Sequence, residues 1–183
     1  SLSRGQAVLF PGTRLRAIEL GVLAEVGRTA VSIVAQPTVA VVPTGNELVD
    51  HWQVPWPGQI RDSNGTLLTN LAMQAGAEAH CLRIATDDEA CLRERIETGF
   101  TCDVLLLSGG VSAGVLDLVP RVLQNFGVEQ VFHKVNLKPG KPLWFGLRRG
   151  TPTTRQTLVF GLPGNPVSSL VCFELFVRPA IRP

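Results

Sequence analysis

Lysine is scarce in this chain. Its 183 residues carry 14 arginines but only Lys134, Lys138 and Lys141. The net charge of +2 is too small for a nucleic-acid or polybasic membrane surface. Hydrophobic residues make up 45%, yet no apolar run approaches the roughly 20 residues that span a bilayer. The first residues, SLSRGQAVLF, lack the apolar stretch and cleavage pattern of a signal peptide, and they lack an initiator Met. The expectation is a piece of a longer, cytoplasmic protein. Cys81, Cys91, Cys102 and Cys172 form no C-x-x-C pair, which removes the usual metal and redox spacings. Cys81, Cys102 and Cys172 read as buried free thiols in a reducing compartment. His51, His80 and His133 are scattered and make no ligand set. Neither G-x-G-x-x-G nor G-x-x-x-x-G-K-[ST] occurs, so the dinucleotide and P-loop fingerprints are absent.

What is present is an alternation of short apolar runs and helix-like stretches. Residues 1–36 stand apart: GQAVLFPGTRL reads as a strand and turn, RAIELGVLAEVG as a helix stopping at Gly27, and TAVSIVA as a short strand. Gln36-Pro37 marks a boundary. Beyond it TVAVV, AEAHCLRIA, DVLLL, VEQVFHKV, PLWFG and TLVFG read as strands. LLTNLAMQAG, EACLRERIETG, LDLVPRVLQNFG and PVSSLVCFELFV read as helices. Strands alternating with helices predict a three-layer α/β/α domain with a mostly parallel, mixed sheet.

In such folds ligands gather beyond the carboxyl ends of the strands. Five loops there are rich in glycine, proline and small polar or charged residues. They are Pro43-Thr44-Gly45-Asn46-Glu47; Thr86-Asp87-Asp88; Ser108-Gly109-Gly110-Val111-Ser112-Ala113-Gly114 with Asp117 following; NLKPGKP; and Leu162-Pro163-Gly164-Asn165-Pro166. Asn165 suits a helix N-cap and Pro166 the first helical position, with Ser168 in the first turn near free N–H groups. Glycine loops opening onto helix N-termini suit phosphate-like anions, although tight turns and ordinary caps would have the same composition.

The lysines sharpen the picture. All three fall in KVNLKPGK, in a chain that elsewhere uses arginine for charge. In an extended segment positions 134, 136 and 138 share a face, and an anion would offset the crowding of ammonium groups. The bland alternative is a solvated turn. Glu47, Asp87 and Asp117 bring carboxylates from three loops of the same edge, a set suited to Mg²⁺ with ligand phosphates. Read singly, Asp117 is a helix cap, Asp87 a turn residue and Glu47 a surface charge. Asp62-Ser63-Asn64 reads as a cap that also has access to the pocket.

VVPTGNEL, GQIRDSNGTLL, LLLSGGVSAGVLD, FHKVNLKPGKPLWFG and FGLPGNPVSSLVCFELFVRP together resemble the molybdopterin molybdenumtransferase family, which includes bacterial MoeA and the gephyrin E domain. The resemblance runs over nearly the whole chain, with the motifs in the family's order. It implies the C-terminal part of a preceding domain at 1–36, a MogA-like molybdopterin-binding domain at 37–178, and the start of a further domain at 179–183. The implied reaction inserts molybdate into adenylylated molybdopterin, releases AMP and needs Mg²⁺. On matching positions, Lys138, Lys141, Pro142 and Ser168 would hold molybdate, and Asp87 and Asp117 would handle metal or phosphate. Glu47 and Lys134 would complete the catalytic set. Ser108, Gly109, Gly110 and Ser112, with Gly164 and Asn165, would form the cofactor-binding loops. The family's site lies between subunits of a homodimer acting on small-molecule substrates. Two positions depart from its pattern: Asn46 replaces the Asp of G-D-E-L, and Val115 replaces an acidic or polar residue. A molybdopterin adenylyltransferase of the same fold, and a non-catalytic binding or scaffold module, are the competing readings.

Overall fold

The computed structural model describes residues 3, 5–109 and 118–181. Gly110, Ser112, Val115 and Asp117, singled out above, lie outside the described residues. The chain divides into two compact units, residues 1–35 and 36–183.

In the first unit helix α1 (Ala17–Glu25) is the one regular element among the described residues. Glu19 fixes its start: the Arg16 backbone N–H donates to the Glu19 carboxylate at 2.9 Å, and the Arg16 guanidinium pairs with the same group. Past its end, the Arg28 N–H closes the last turn on the Leu23 carbonyl at 2.8 Å. The two strands expected on either side do not form. Residues 5–16 and 28–35 are irregular, because a strand needs a ladder partner and none of these residues pairs with another in one.

The second unit contains β1 (Thr38–Pro43), β2 (Leu48–Val49), β3 (Ile60–Arg61), α2 (Asn64–Ala75), β4 (Glu78–Cys81), α3 (Glu89–Gly99), β5 (Val104–Ser108), α4 (Leu118–Asn125), β6 (Val128–His133), β7 (Trp144–Arg148), β8 (Thr157–Leu162) and α5 (Pro166–Cys172). A π-helical turn (Phe173–Val177) and α6 (Arg178–Ile181) follow. The sheet order is β4-β1-β5-β8-β7-β6. The first four strands are parallel, and β7 runs antiparallel to both β8 and β6.

Alternation along the strands builds two cores. Val39, Val41, Val104, Leu106, Phe160 and Leu162 face α2 and the C-terminal helices. Ala40, Val42, Leu105, Leu107 and Val159 face α3 and α4. Burial on both faces explains why β1 and β5 are apolar almost throughout, and the result is the expected three-layer α/β/α arrangement. The edge strand β4 is shorter than its sequence suggested. Only Ala79 of it is buried, so Cys81 is exposed rather than in the core. Cys102 and Cys172 are buried, and all four thiols are free. No helix among the described residues is long and apolar enough to cross a membrane.

Candidate functional site

Register brings the predicted loops to one edge. Pro43 pairs with Ser108 and Ser108 with Leu162, so β1, β5 and β8 end level. His133 pairs with Trp144 and Trp144 with Gly161, which sets the end of β6 on the same side.

The centre of this edge is packed backbone to backbone. Thr44 N–H and Oγ1–H both donate to the Ser108 carbonyl, at 2.8 and 3.3 Å. Gly109 has φ +92°, and a β-carbon there would sit 2.5 Å from the Thr44 carbonyl oxygen. Only glycine takes that conformation in that space. A β-carbon on Gly164 would lie 3.8 Å from the Gly109 α-carbon, so the loops after β5 and β8 touch. The Gly109 N–H, however, donates to the Leu162 carbonyl at 3.2 Å. Gly109 therefore allows close approach but does not offer its amide to a phosphate.

Asn165 caps α5 as its sequence context predicted. Its Oδ1 accepts from the Val167 and Ser168 N–H groups at 3.0 and 3.2 Å, with Pro166 at the first position. The cap overturns one expectation: those amides are not free for an anion, because Asn165 itself occupies them. The half-buried Ser168 side chain lies in this first turn. Ser169 Oγ donates to the Pro163 carbonyl and fixes the turn.

The lysines lie on a closed loop. The Lys134 N–H donates to the Leu143 carbonyl at 2.8 Å and the Val135 N–H to the Lys141 carbonyl at 2.9 Å. β6 stops at His133 because Lys134 takes a left-handed φ of +67°, which no ladder accommodates. The expected strand through residue 135 is thus cut short. The alternation nonetheless survives: Lys134, Asn136 and Lys138 are exposed while Val135 and Leu137 pack on the core. Lys141 is exposed and Pro142 half-buried. Gly140 is buried against α5, its carbonyl 3.5 Å from Cys172 Sγ, and a β-carbon there would lie 2.8 Å from that sulfur. This contact ties the lysine loop to the helix that begins at the Gly164–Asn165 turn.

The carboxylates occupy the neighbouring loops. The Glu47 carboxylate folds over Gly45, within 2.7 Å of where a β-carbon would project. Asn46 Oδ1 accepts from the Asp87 N–H at 2.9 Å, so the residue that replaces the family's Asp joins the loop of Glu47 to that of Asp87. Asp88 caps α3 through the Cys91 N–H. Asp87, half-buried, is thereby left for other work. Among the described residues no three His, Cys, Asp or Glu side chains gather to hold a metal.

Asp62 caps α2 by accepting from the Gly65 N–H at 2.9 Å. Burial raises its pKa, and the Gly65 and Asn64 N–H groups pull it partly back. Cys81 is exposed as a residue, but its sulfur packs against Gly65; that desolvation, then the Asp62 charge, lifts its thiol to about 11, and burial lifts Cys172 to about 11. Neither is an activated nucleophile. Burial and the nearby Lys134 lower the His133 pKa.

In the sequence Asn64 belongs to a cap with access to the pocket, with no sign of its long-range partner. It is 7% exposed, and its Nδ2 donates 2.7 Å to the Gly164 carbonyl, a hundred residues away. Among the described residues its Oδ1, the Ser108 hydroxyl, His133 Nε2 and Arg95 Nε are buried without a hydrogen-bond partner. Orphaned polar atoms are uncommon in folded proteins; Arg95 lies within α3, and the other three belong to residues of this edge.

Comparison with known proteins follows the same lines. Residues 40–183 match the family described as "Probable molybdopterin binding domain". The molybdopterin molybdenumtransferase of Nostoc sp. is 38% identical over 97% of this chain and 40% of its own length. That of Staphylococcus aureus (strain Mu50) is 34% identical over 97% of this chain and 41% of its own length. The chain thus spans about two fifths of these relatives. A molybdopterin biosynthesis MoeA protein from Pyrococcus horikosii superposes with TM-score 0.78 at 36% identity, covering 93% of this chain and 41% of that one. The tungsten cofactor synthesizing protein MoaB from Pyrococcus furiosus shares the fold, with TM-score 0.58 and 18% identity over 81% of this chain and 94% of its own.

Proposed function

The chain belongs to the family of molybdopterin-binding domains, and from that premise we propose that its carboxyl edge is the molybdate-insertion site of a molybdopterin molybdenumtransferase. The substrates are adenylylated molybdopterin and molybdate, and AMP is the leaving group. The exposed ammonium groups of Lys138 and Lys141, together with Pro142 and the Ser168 hydroxyl, hold the molybdate dianion. The Ser108 hydroxyl, with Gly110 and Ser112 beyond it, receives the phosphate side of the pterin. Gly109 and Gly164 keep that wall thin, and Asn165 fixes the turn. Lys134 and Glu47 complete the set by orienting the reacting groups.

Asp87 and Asp117 are the residues to hold Mg²⁺. The donor chemistry fits: Asp87 is half-buried, its amide is fixed by Asn46, and its cap duty is carried by Asp88. Magnesium takes one or two carboxylates plus substrate phosphate. Held there, Mg²⁺ would supply positive charge to offset that of the substrate phosphates. The protein's main contribution is charge placed in advance where the oxyanions will sit. A cytoplasmic homodimer is the setting that the family resemblance suggests.

The observation that carries this reading is the Gly140–Cys172 contact, which ties the lysine loop to the helix whose leading glycine abuts Gly109. Calorimetric titration of molybdate into the chain and its Lys138→Ala/Lys141→Ala variant tests it. Loss of two charge-assisted contacts, about 1.5–3 kcal/mol each, should weaken molybdate binding by more than tenfold. Both side chains are exposed, so the thermal midpoint should stay within about 2 °C. Unchanged molybdate affinity would remove the basis of the assignment.

A further inference from the structure

Two of the chain's three tryptophans are on the surface of one loop. Trp52 is 70% exposed and Trp56 77%, whereas Trp144 is 3% exposed, with its indole N–H bonded to Gln130 Oε1 at 2.9 Å. The loop, residues 50–59, joins β2 to β3.

It is a built structure. The Asp50 N–H donates to Gln53 Oε1 at 3.1 Å, the Trp56 N–H to Gln59 Oε1 at 3.0 Å, and Arg61 Nε to the Gln53 carbonyl at 3.0 Å. Pro55 and Pro57 stiffen the chain on both sides of Trp56. His51 meets Trp52 edge to face, with ring centroids 4.8 Å apart. Three side chains thus brace a loop that leaves its two largest apolar groups in water. Both roots lie at the carboxyl edge. On one side is Glu47, whose carbonyl accepts from the Ile60 N–H at 2.8 Å. On the other is Asp62, followed by Asn64, which holds Gly164.

We infer that Trp52 and Trp56 form a stacking platform at the rim of the site for a fused nitrogen heterocycle of the substrate. The inference rests on the function proposed above. Two indoles supply roughly 150–250 Å² each, and even with the exposed Val54 and Ile60 beside them the patch is smaller than the about 800 Å² per partner that a stable protein interface takes. They suit a flat ring: aromatic faces bind heterocycles by stacking whatever the ring's hydrogen-bond pattern. An adenylylated pterin carries two such rings, adenine and pterin, and the chemistry recognised is common to both.

The test uses the 183-residue chain with AMP, 6-carboxypterin, inorganic phosphate and molybdate as separate probes. AMP should quench the exposed-indole emission saturably, while phosphate should not. By calorimetry Trp52→Ala and Trp56→Ala should each weaken at least one ring probe about tenfold, and the probe affected identifies the ring. Trp52→Phe and Trp56→Phe should recover most of the loss. Molybdate affinity should be unchanged in all four variants. Ring-probe affinities untouched in the Trp52→Ala/Trp56→Ala double variant would overturn the platform and leave the anion site standing. So would self-association of the chain that the double variant abolishes. Ring probes that fail to bind the unaltered chain would also overturn it; if molybdate fails as well, the function beneath it falls too.

Discussion

The two ends of the central strands are built on opposite terms. At the amino end, the Asp103 carboxylate accepts from the Thr38 N–H and hydroxyl at 2.8 and 2.9 Å, and Arg155 pairs with it at 3.2 Å. Thr157 Oγ1 donates to the Cys102 carbonyl at 3.0 Å. These polar groups are matched, and the end is closed. At the carboxyl end Ser108 Oγ, Asn64 Oδ1 and His133 Nε2 are buried and unmatched among the described residues. Three ammonium groups stand exposed, and one lysine is held in a strained left-handed conformation. An unsatisfied buried polar group costs about 1–3 kcal/mol, and a left-handed non-glycine residue a similar amount. The amino end spends its polar residues on stability. The carboxyl end forgoes that stability, as the ligand site proposed for it would require.

The comparison can be broken at either end. The largest effect is expected at Gly109. An alanine methyl there would meet the Thr44 carbonyl, which is backbone and cannot swing aside, in a conformation alanine resists. Gly109→Ala should lower the unfolding free energy by about 2–4 kcal/mol in urea and weaken molybdate binding as well. A variant as stable as the parent would show that the β1 and β5 loops are not packed as described. A smaller effect is expected at the closed end. Asp103→Ala removes the acceptor that Thr38 uses, while the Arg155 pair is half-exposed and adds little. It should cost about 1–2 kcal/mol and leave molybdate affinity unchanged. Weakened molybdate binding in that variant would mean the two ends are coupled and the contrast is false.

Much of this was legible in the sequence, and where it was not the reason is physical. TVAVV and DVLLL read as buried parallel strands because both faces are covered, and their loops followed from strand direction. Asn165-Pro166 announced a helix start. The same residues hid the consequence that the cap uses up the first-turn amides. The apolar stretches of residues 5–35 looked like strands, but pairing is set by partners, which local pattern does not reveal. Lys134 carries no mark of its left-handed turn, since glycine or asparagine usually signals one. Asn64 was read as part of a cap with access to the pocket; its bond to Gly164 is long-range, so local pattern did not reveal it. Asn46, which looked like a lost charge, turns out to join two loops.

The central claim is that the lysine loop and the glycine-lined turns form one anion niche. Amide chemical shifts followed by NMR during a molybdate titration address it directly. The account predicts that Gly140, Lys141, Gly109 and Ser168 move together along curves fitted by a single dissociation constant, while Thr38 and Asp103 stay still. Shifts confined to one loop, or separate constants for the lysine loop and for Gly109, would contradict it.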